Sequence, residues 1–380
     1  MSEKYRIYLI IVLVIGFFIF ITPESITVPA EKIDIITGLG IDMIQNEQGE
    51  NKIQSSISVY NFTAGADSEK SSASKSVVRV SIADTLLDAR ERRQLSSNRK
   101  FVSSFEKVAI IGENLAKNGL NSTIDFFFYN PFSSDSAWVV VCKGQALDIL
   151  QQEVKGYPDS ARYIDGLIEQ LQNDNFFSSE YNILHMYSGI GAEGKCVVLP
   201  YIEMVDNVLT VTGMALFKKD KMVRKIDIPE ARIMNMLREK KGNGILTLQK
   251  DFKHYTSSYI QTQKKISCSK SGDKYNFTIN LELKTEVMNN TLFKDMEKHD
   301  SIIAEYEQAL QQQVEYMCQE FIKKMQTDYK IDCLELGEIA CAKYGRGTGV
   351  DWNEIVCNSD IKVNVKVKVE RFGRGRYTIQ

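Results

Sequence analysis

The sequence predicts a mixed α/β, α+β chain of three domains behind an N-terminal membrane-anchoring helix. Three observations carry that prediction. A charge-free run opens the chain, strands and helices alternate from Ile33 to about Leu199, and long strands with one long amphipathic helix fill the second half. A chain of 380 residues is long enough for two or three cores of ordinary size. The expected divisions are 1–23, a membrane anchor or signal helix; 24–30, a linker; 31–203, an N-terminal α/β domain; 204–252, a middle β-rich domain; and 253–380, a C-terminal α+β domain.

The first element is the apolar run inside MSEKYRIYLIIVLVIGFFIFITPES. Its anchoring residues are Ile7, Leu9, Ile10, Ile11, Val12, Leu13, Val14, Ile15, Phe17, Phe18, Ile19, Phe20 and Ile21, interrupted by Tyr8 and Gly16. As a helix, this run spans roughly 22 Å, short of a hydrocarbon core near 30 Å. Tyr5, Tyr8 and snorkelling Lys4 and Arg6 cover much of the shortfall. Thirteen Ile, Leu, Val or Phe residues favour insertion by several kcal/mol. Basic residues before the run and Glu24 and Glu31 after it place the N terminus inside and the bulk outside. A cleaved signal, cut after Ala30, is the competing reading; retention is the expectation.

A polar, proline-marked spacer then leads into IDIITGLGIDMI, a β-rich stretch containing Gly38 and Gly40. IQSSISVY alternates apolar and polar positions, as a half-buried strand does. Residues 64–76 form a Ser-rich loop. Helical spacing follows at Ile82, Leu86, Ala89 and Arg93. KVAIIG predicts a buried strand running into the helix ENLAKNG, which Gly119 closes. AWVVVCKG, a helix from Gln145 and the amphipathic RYIDGLIEQLQ complete the alternation.

In the second half, Val208–Phe217 and Met222–Ile228 form a hairpin about a turn at Lys218–Lys221. Pro229 stands where the first turn of a helix accepts it, ahead of ARIMNMLREK. ILTLQ, YIQTQKKISCS and KYNFTINLELKTEV predict three more strands. The polar stretch 293–329 predicts one long amphipathic helix. Ile302, Tyr306, Ala309, Gln313, Tyr316 and Glu320 lie near one face, beside a stripe of Ile303, Leu310, Val314, Met317 and Phe321. The final strand, DIKVNVKVKVERF, alternates Ile361 and four valines with polar residues.

Composition excludes several functions. The net charge of −2 carries no nucleic-acid signature. Seven cysteines contain no C-x-x-C pair and the three histidines lie far apart, which argues against a finger-like zinc site. Most cysteines read as small buried core residues; the four in the last third allow one or two disulfides in an extracytoplasmic domain.

GIGAEG (Gly189–Gly194) matches the dinucleotide pattern, but that mechanism needs the glycines to open a helix. They precede the strand-like KCVVLPYIEM, so a plain flexible loop is expected. RGTG (Arg346–Gly349) has the makings of an anion nest but lacks a P-loop tail, and reads as an inter-helix loop. Glu335 and Glu338 read as a solvated helix face, and His185 has no identifiable Ser or Cys partner. No catalytic residue, metal ligand or cofactor is therefore assigned. Lys362, Lys366, Lys368, Arg371, Arg374 and Arg376 make the C-terminal strand and tail basic. That is read as a solvated face, with attraction to anionic lipid as the alternative.

The succession AEKIDIITGLGID, KVAIIGENLAKNGLNSTIDFFF, VCKGQALDIL, VTGMALFKKDKMV, ARIMNML and DWNEIVCNSDIKVNVKVKVERFGRG resembles the C subunits of bacterial spore nutrient-germinant receptors, the Ger(x)C family. The resemblance covers nearly the whole chain after residue 30; Trp352, the valine strand and Gly373 form its most specific part. It implies a three-domain Ger(x)C-type architecture on the outer face of the spore inner membrane. The implied partners are membrane A and B subunits and membrane lipid, with no cofactor and no direct binding of the nutrient. The family usually carries a lipid-bearing cysteine upstream of the Glu-Ile stretch. Residues 16–30 contain none and the first cysteine is Cys142, so the apolar run is expected to do the holding. A membrane-anchored small-molecule binding protein is the alternative function.

Overall fold

The computed structural model describes residues 32–60, 76–129, 133–272, 274–373 and 376–377, with Lys4, Tyr5, Tyr8 and Leu13 near the N terminus. Apart from Leu13, the expected anchor residues lie outside the described residues, as does the Ser-rich stretch 64–75. Among the described residues no helix is long and apolar enough to cross a membrane.

The first half builds β1 (Ile33–Gln45), β2 (Asn51–Tyr60), β3 (Val77–Ala83), α1 (Leu86–Leu95), β4 (Lys100–Val102), β5 (Val108–Gly112), α2 (Glu113–Asn118), α3 (Asn121–Tyr129), β6 (Trp138–Cys142), α4 (Ala146–Gln151), α5 (Ser160–Asp174), α6 (Ile183–Gly191) and β7 (Val198–Val205). The hairpin β8 (Val208–Lys218) and β9 (Lys221–Asp227) completes a nine-stranded sheet of order β3-β2-β1-β5-β6-β7-β8-β9, with β4 also on β1. Its centre, β1-β5-β6-β7, is parallel. Helices cover both faces, which is why VAIIG and WVVVC read as unbroken apolar runs rather than alternating ones.

The same covering corrects two expectations. IQSSISVY is not half-buried: Ile53 to Val59 are all buried, because α1 and α4 both pack on β2. Ile82 belongs to β3, and α1 begins only at Leu86, where the Thr85 hydroxyl accepts from the Asp88 amide. Gly38 and Gly40 have a packing reason. A Cβ on Gly38 would lie 2.6 Å from Ala161 of α5, and one on Gly40 would lie 3.0 Å from Leu150 of α4. Asp42 of β1 then accepts from the amides of Ala146 and Leu147, starting α4 against the strand.

The second half follows α7 (Ile228–Arg238) with β10 (Lys241–Gln249), β11 (Tyr255–Ser271), β12 (Lys274–Asn290), α8 (Asp300–Lys324), α9 (Leu336–Tyr344), α10 (Trp352–Cys357), β13 (Asp360–Phe372) and β14 (Arg376–Tyr377). These strands form a second sheet of order β10-β11-β12-β13-β14. Ile361, Val363, Val365, Val367 and Val369 are buried, while Lys362, Lys366 and Lys368 point outward. The buried face of α8 is Tyr306, Leu310, Val314, Cys318, Phe321 and Ile322. The expected stripe is buried at Leu310, Val314 and Phe321, and of the face beside it Tyr306 is buried while Tyr316 and Glu320 are exposed, Tyr316 at 68%.

Residues 204–252 contribute β8 and β9 to the first sheet, β10 to the second and α7 between them. Asp227 caps α7 and Pro229 occupies its first turn. Ala231, Ile233, Met234, Met236 and Leu237 are all buried in one core cluster that also holds Ile202 and Met214 of the first sheet and Ile279 and Leu281 of the second. All seven cysteines are free thiols and six of them are buried, which fits the reading as small core residues and not the disulfide alternative.

Candidate functional site

The residues singled out in the sequence converge where the two sheets meet. GIGAEG is not a flexible loop: Gly189–Gly191 form the last turn of α6, and the segment then turns into β7. Gly194 has φ +77°, and a Cβ there would lie 2.4 Å from the Glu338 nitrogen and the Gly337 carbonyl carbon. Only a glycine lets this loop press so closely on the start of α9. The helix ends at these glycines rather than beginning there, so no ring of helix amides is available for a pyrophosphate.

RGTG is an inter-helix loop, between α9 and α10, and it does receive an anion: the chain's own Glu193. The Gly347 amide donates to Glu193 Oε2 at 2.7 Å, and Trp352 Nε1 donates to Oε1 at 2.8 Å. These two bonds hold the Glu193 carboxyl below its ordinary range. Lys195 pairs with Glu338 at 3.4 Å beside them.

Deeper in the seam lies Arg238, the last residue of α7. Its guanidinium donates to the carbonyls of Cys333 (2.8 Å) and Cys196 (3.0 Å) and to Glu335 Oε1 at 2.7 Å, with Glu239 at 3.6 Å. Glu335 is therefore an ion-pair partner, and Glu338 pairs with Lys195; the expected solvated face is a fastening. Burial works against the Arg238 charge, but Glu335 and Glu239 outweigh it and keep the group protonated. Lys264 donates to the carbonyls of Leu237 (2.8 Å) and Arg238, and burial draws its pKa down to about 8. Asp332 accepts from the amides of Leu336 (3.1 Å) and Gly337 (2.7 Å), while burial raises it to about 6.

This chemistry fastens; it does not activate a nucleophile. Burial pushes the Cys196 thiol up to about 12 and the Cys333 thiol well above its ordinary value. His185 is bonded to Asn182 at 2.9 Å and faces Glu180 at 3.6 Å. Among the described residues, no group of three or more His, Cys, Asp or Glu side chains is placed to hold a metal. The surface beside the fastening is an open cleft of about 790 Å³, lined in part by Lys195, Lys218, Lys219, Asp332, Trp352 and Asn353. The outward lysines of β13 stand on an exposed face, and Glu370 pairs with Lys284 of β12 at 2.9 Å. Arg238, Lys264 and Asp332 were not singled out by sequence because no short motif marks them. Arg238 and Glu335, for instance, are 97 residues apart.

Comparison with known proteins gives a consistent result. Residues 27–204 match the family described as spore germination protein N-terminal domain, and residues 212–373 match spore germination B3/GerAC like, C-terminal. The chain is 21% identical to the spore germination protein GerQC of Bacillus cereus over 343 residues, covering 88% of this chain and 92% of that protein. It is 22% identical to the spore germination protein YndF of Bacillus subtilis (strain 168) over 322 residues, covering 82% and 78%. The crystal structure of the GerBC protein has a similar fold, with a TM-score of 0.57 at 15% identity, covering 87% of this chain and 97% of that one.

Proposed function

Because the chain belongs to the GerAC-like, Ger(x)C family of spore germination proteins, we propose that it is a non-enzymatic C subunit of a nutrient-germinant receptor. It works beside membrane A and B subunits at the outer face of the spore inner membrane, held by its N-terminal apolar run and acting through protein contacts. The observation that carries this reading is that both halves of the family pattern occur in order on one continuous core. A chain fastened by Arg238 and Glu193 suits a rigid body that presents surfaces to partners. The test is affinity capture of the tagged full chain from detergent-solubilised spore membranes. A- and B-type membrane subunits are expected in the eluate; their absence from a capture that retains the chain would overturn the proposal.

The seam cleft favours a second reading, a membrane-anchored protein that binds a small molecule. Titration calorimetry of the full chain with amino acids and sugars separates the two, since the receptor-subunit reading expects no heat of direct binding.

A further inference from the structure

One end of the first sheet has the makings of a lipid-facing surface. Strands β1, β5 and β6 run parallel, so their starts lie together. Val59 pairs with Ile36 on one side and Val77 on the other, which brings the end of β2 and the start of β3 to the same end. There β4 sets Lys100 beside Ile33, and Gln94 of α1 donates to the Arg99 carbonyl at 3.0 Å. The turn after β4 returns at Lys107, whose amide donates to the Thr37 carbonyl. This end therefore gathers Leu95, Phe105 and Val77, which are 88%, 58% and 47% exposed.

Around β4 the exposed charge is basic, whereas at the β6 start Asp135 is exposed and Lys107 pairs with Asp165 at 3.5 Å. From Leu95 to Lys107 the chain reads LSSNRKFVSSFEK, and its one acid, Glu106, is only 6% exposed. The neighbouring Asp34 is buried beneath Arg79 and Arg99. Lys32 and Lys100 are exposed, and exposed Arg162 lies over the Tyr60 ring at 4.9 Å. On the β4 side, exposed apolar side chains flanked by cations match the surface of a bilayer that carries anionic headgroups.

The sequence also says which surface lies within reach. Eleven residues, Thr22–Lys32, separate the apolar run from β1. Fully extended they reach about 37 Å, so a run held in a bilayer keeps this end of the sheet close to it. We propose that the β1-entry end of the first sheet docks on anionic lipid, with Leu95 and Phe105 entering the headgroup region and Lys32, Lys100 and Arg162 facing phosphates. The proposal rests on the tethered reading above and adds the surface that meets the membrane.

The test uses the full chain reconstituted in anionic vesicles whose acyl chains carry bromine, a short-range quencher of tryptophan. Leu95→Trp and Phe105→Trp each add an emitter at this end, and Tyr316→Trp adds one at an equally solvated site on α8. Relative to the parent, the added emission at 95 and 105 is expected to be blue-shifted and quenched, and that at 316 unchanged. Exchange of the anionic lipid for a neutral one is expected to reduce quenching at 95 and 105. Equal quenching at all three positions, none at 95 and 105, or failure of the chain to float with vesicles overturns the proposal. Quenching at 95 and 105 by a chain that is captured without A- and B-type subunits defeats the receptor reading and leaves the docking surface standing.

Discussion

Glu106 is buried with its Oε2 atom lacking a hydrogen-bond partner, and burial raises its pKa to about 8 against the pull of Arg93. The folded state therefore holds this proton more tightly than the unfolded chain, whose carboxyl titrates near the ordinary 4.5. The stability contributed is full below the unfolded value and is lost as pH rises towards 8. Glu106→Gln keeps the shape without the titration. Its melting temperature is expected to match the parent at pH 4.5 and to exceed it at pH 9, read by calorimetry across that range; a parallel pH profile for the two proteins would refute the assignment. Gly194 makes a second residue-scale prediction. Alanine there meets both a positive φ and the start of α9, so Gly194→Ala is expected to cost about 2–4 kcal/mol in urea denaturation.

At the scale of elements, the outer edge of the second sheet is protected by a helix. The two-residue β14 pairs only with Arg371 and Phe372, leaving most of β13 as an edge. Glu315 and Glu307 of α8 accept from the Val365 and Val369 amides at 3.1 and 2.7 Å. Eight helical residues rise about 12 Å and four strand residues about 13 Å, so the two periods match. The double variant Glu307→Ala, Glu315→Ala loses two charge-assisted bonds, about 3–6 kcal/mol together before relaxation. It also reopens the strand edge. Sedimentation is expected to reveal concentration-dependent association absent from the parent, and a monomer at all concentrations would count against this edge role. The strand itself was legible, because its inward valines and outward lysines alternate. Its guards were not: Glu307 and Glu315 look like any solvated helix carboxylates until the strand beside them is placed. The same limit hid Arg238, whose partners are distant in sequence. On α8 the period placed Leu310, Val314 and Phe321 in the core correctly, but it also carried Tyr316, which no neighbour required to be buried.

For the whole molecule, the decisive fact is that α7 belongs to both sheets. Its buried residues join a core that runs from Met214 to Leu281, and Arg238 closes the seam at its end. Two sheets sharing one core and one half-buried ion-pair group are expected to melt as a single cooperative unit, with calorimetric and van't Hoff enthalpies equal. Removing one partner of an ion pair leaves the other charge uncompensated, which costs about 3–5 kcal/mol where the pair is fully buried and is expected to cost less for the part-buried Arg238 group. Arg238→Ala does this to Glu335 and Glu239 at the same time as it releases the carbonyls of Cys196 and Cys333. The loss falls at the seam rather than inside either sheet, so the melting profile of Arg238→Ala is expected to resolve into two transitions. Glu193→Gln supplies the contrast. An amide oxygen still accepts from Gly347 or Trp352, and the Glu193 side chain lies in the outer loop of the seam, so one transition should persist with a small downward shift. If Arg238→Ala also melts in one step at nearly the parent temperature, the apolar packing around α7 joins the sheets by itself and the part-buried charges contribute little to their coupling.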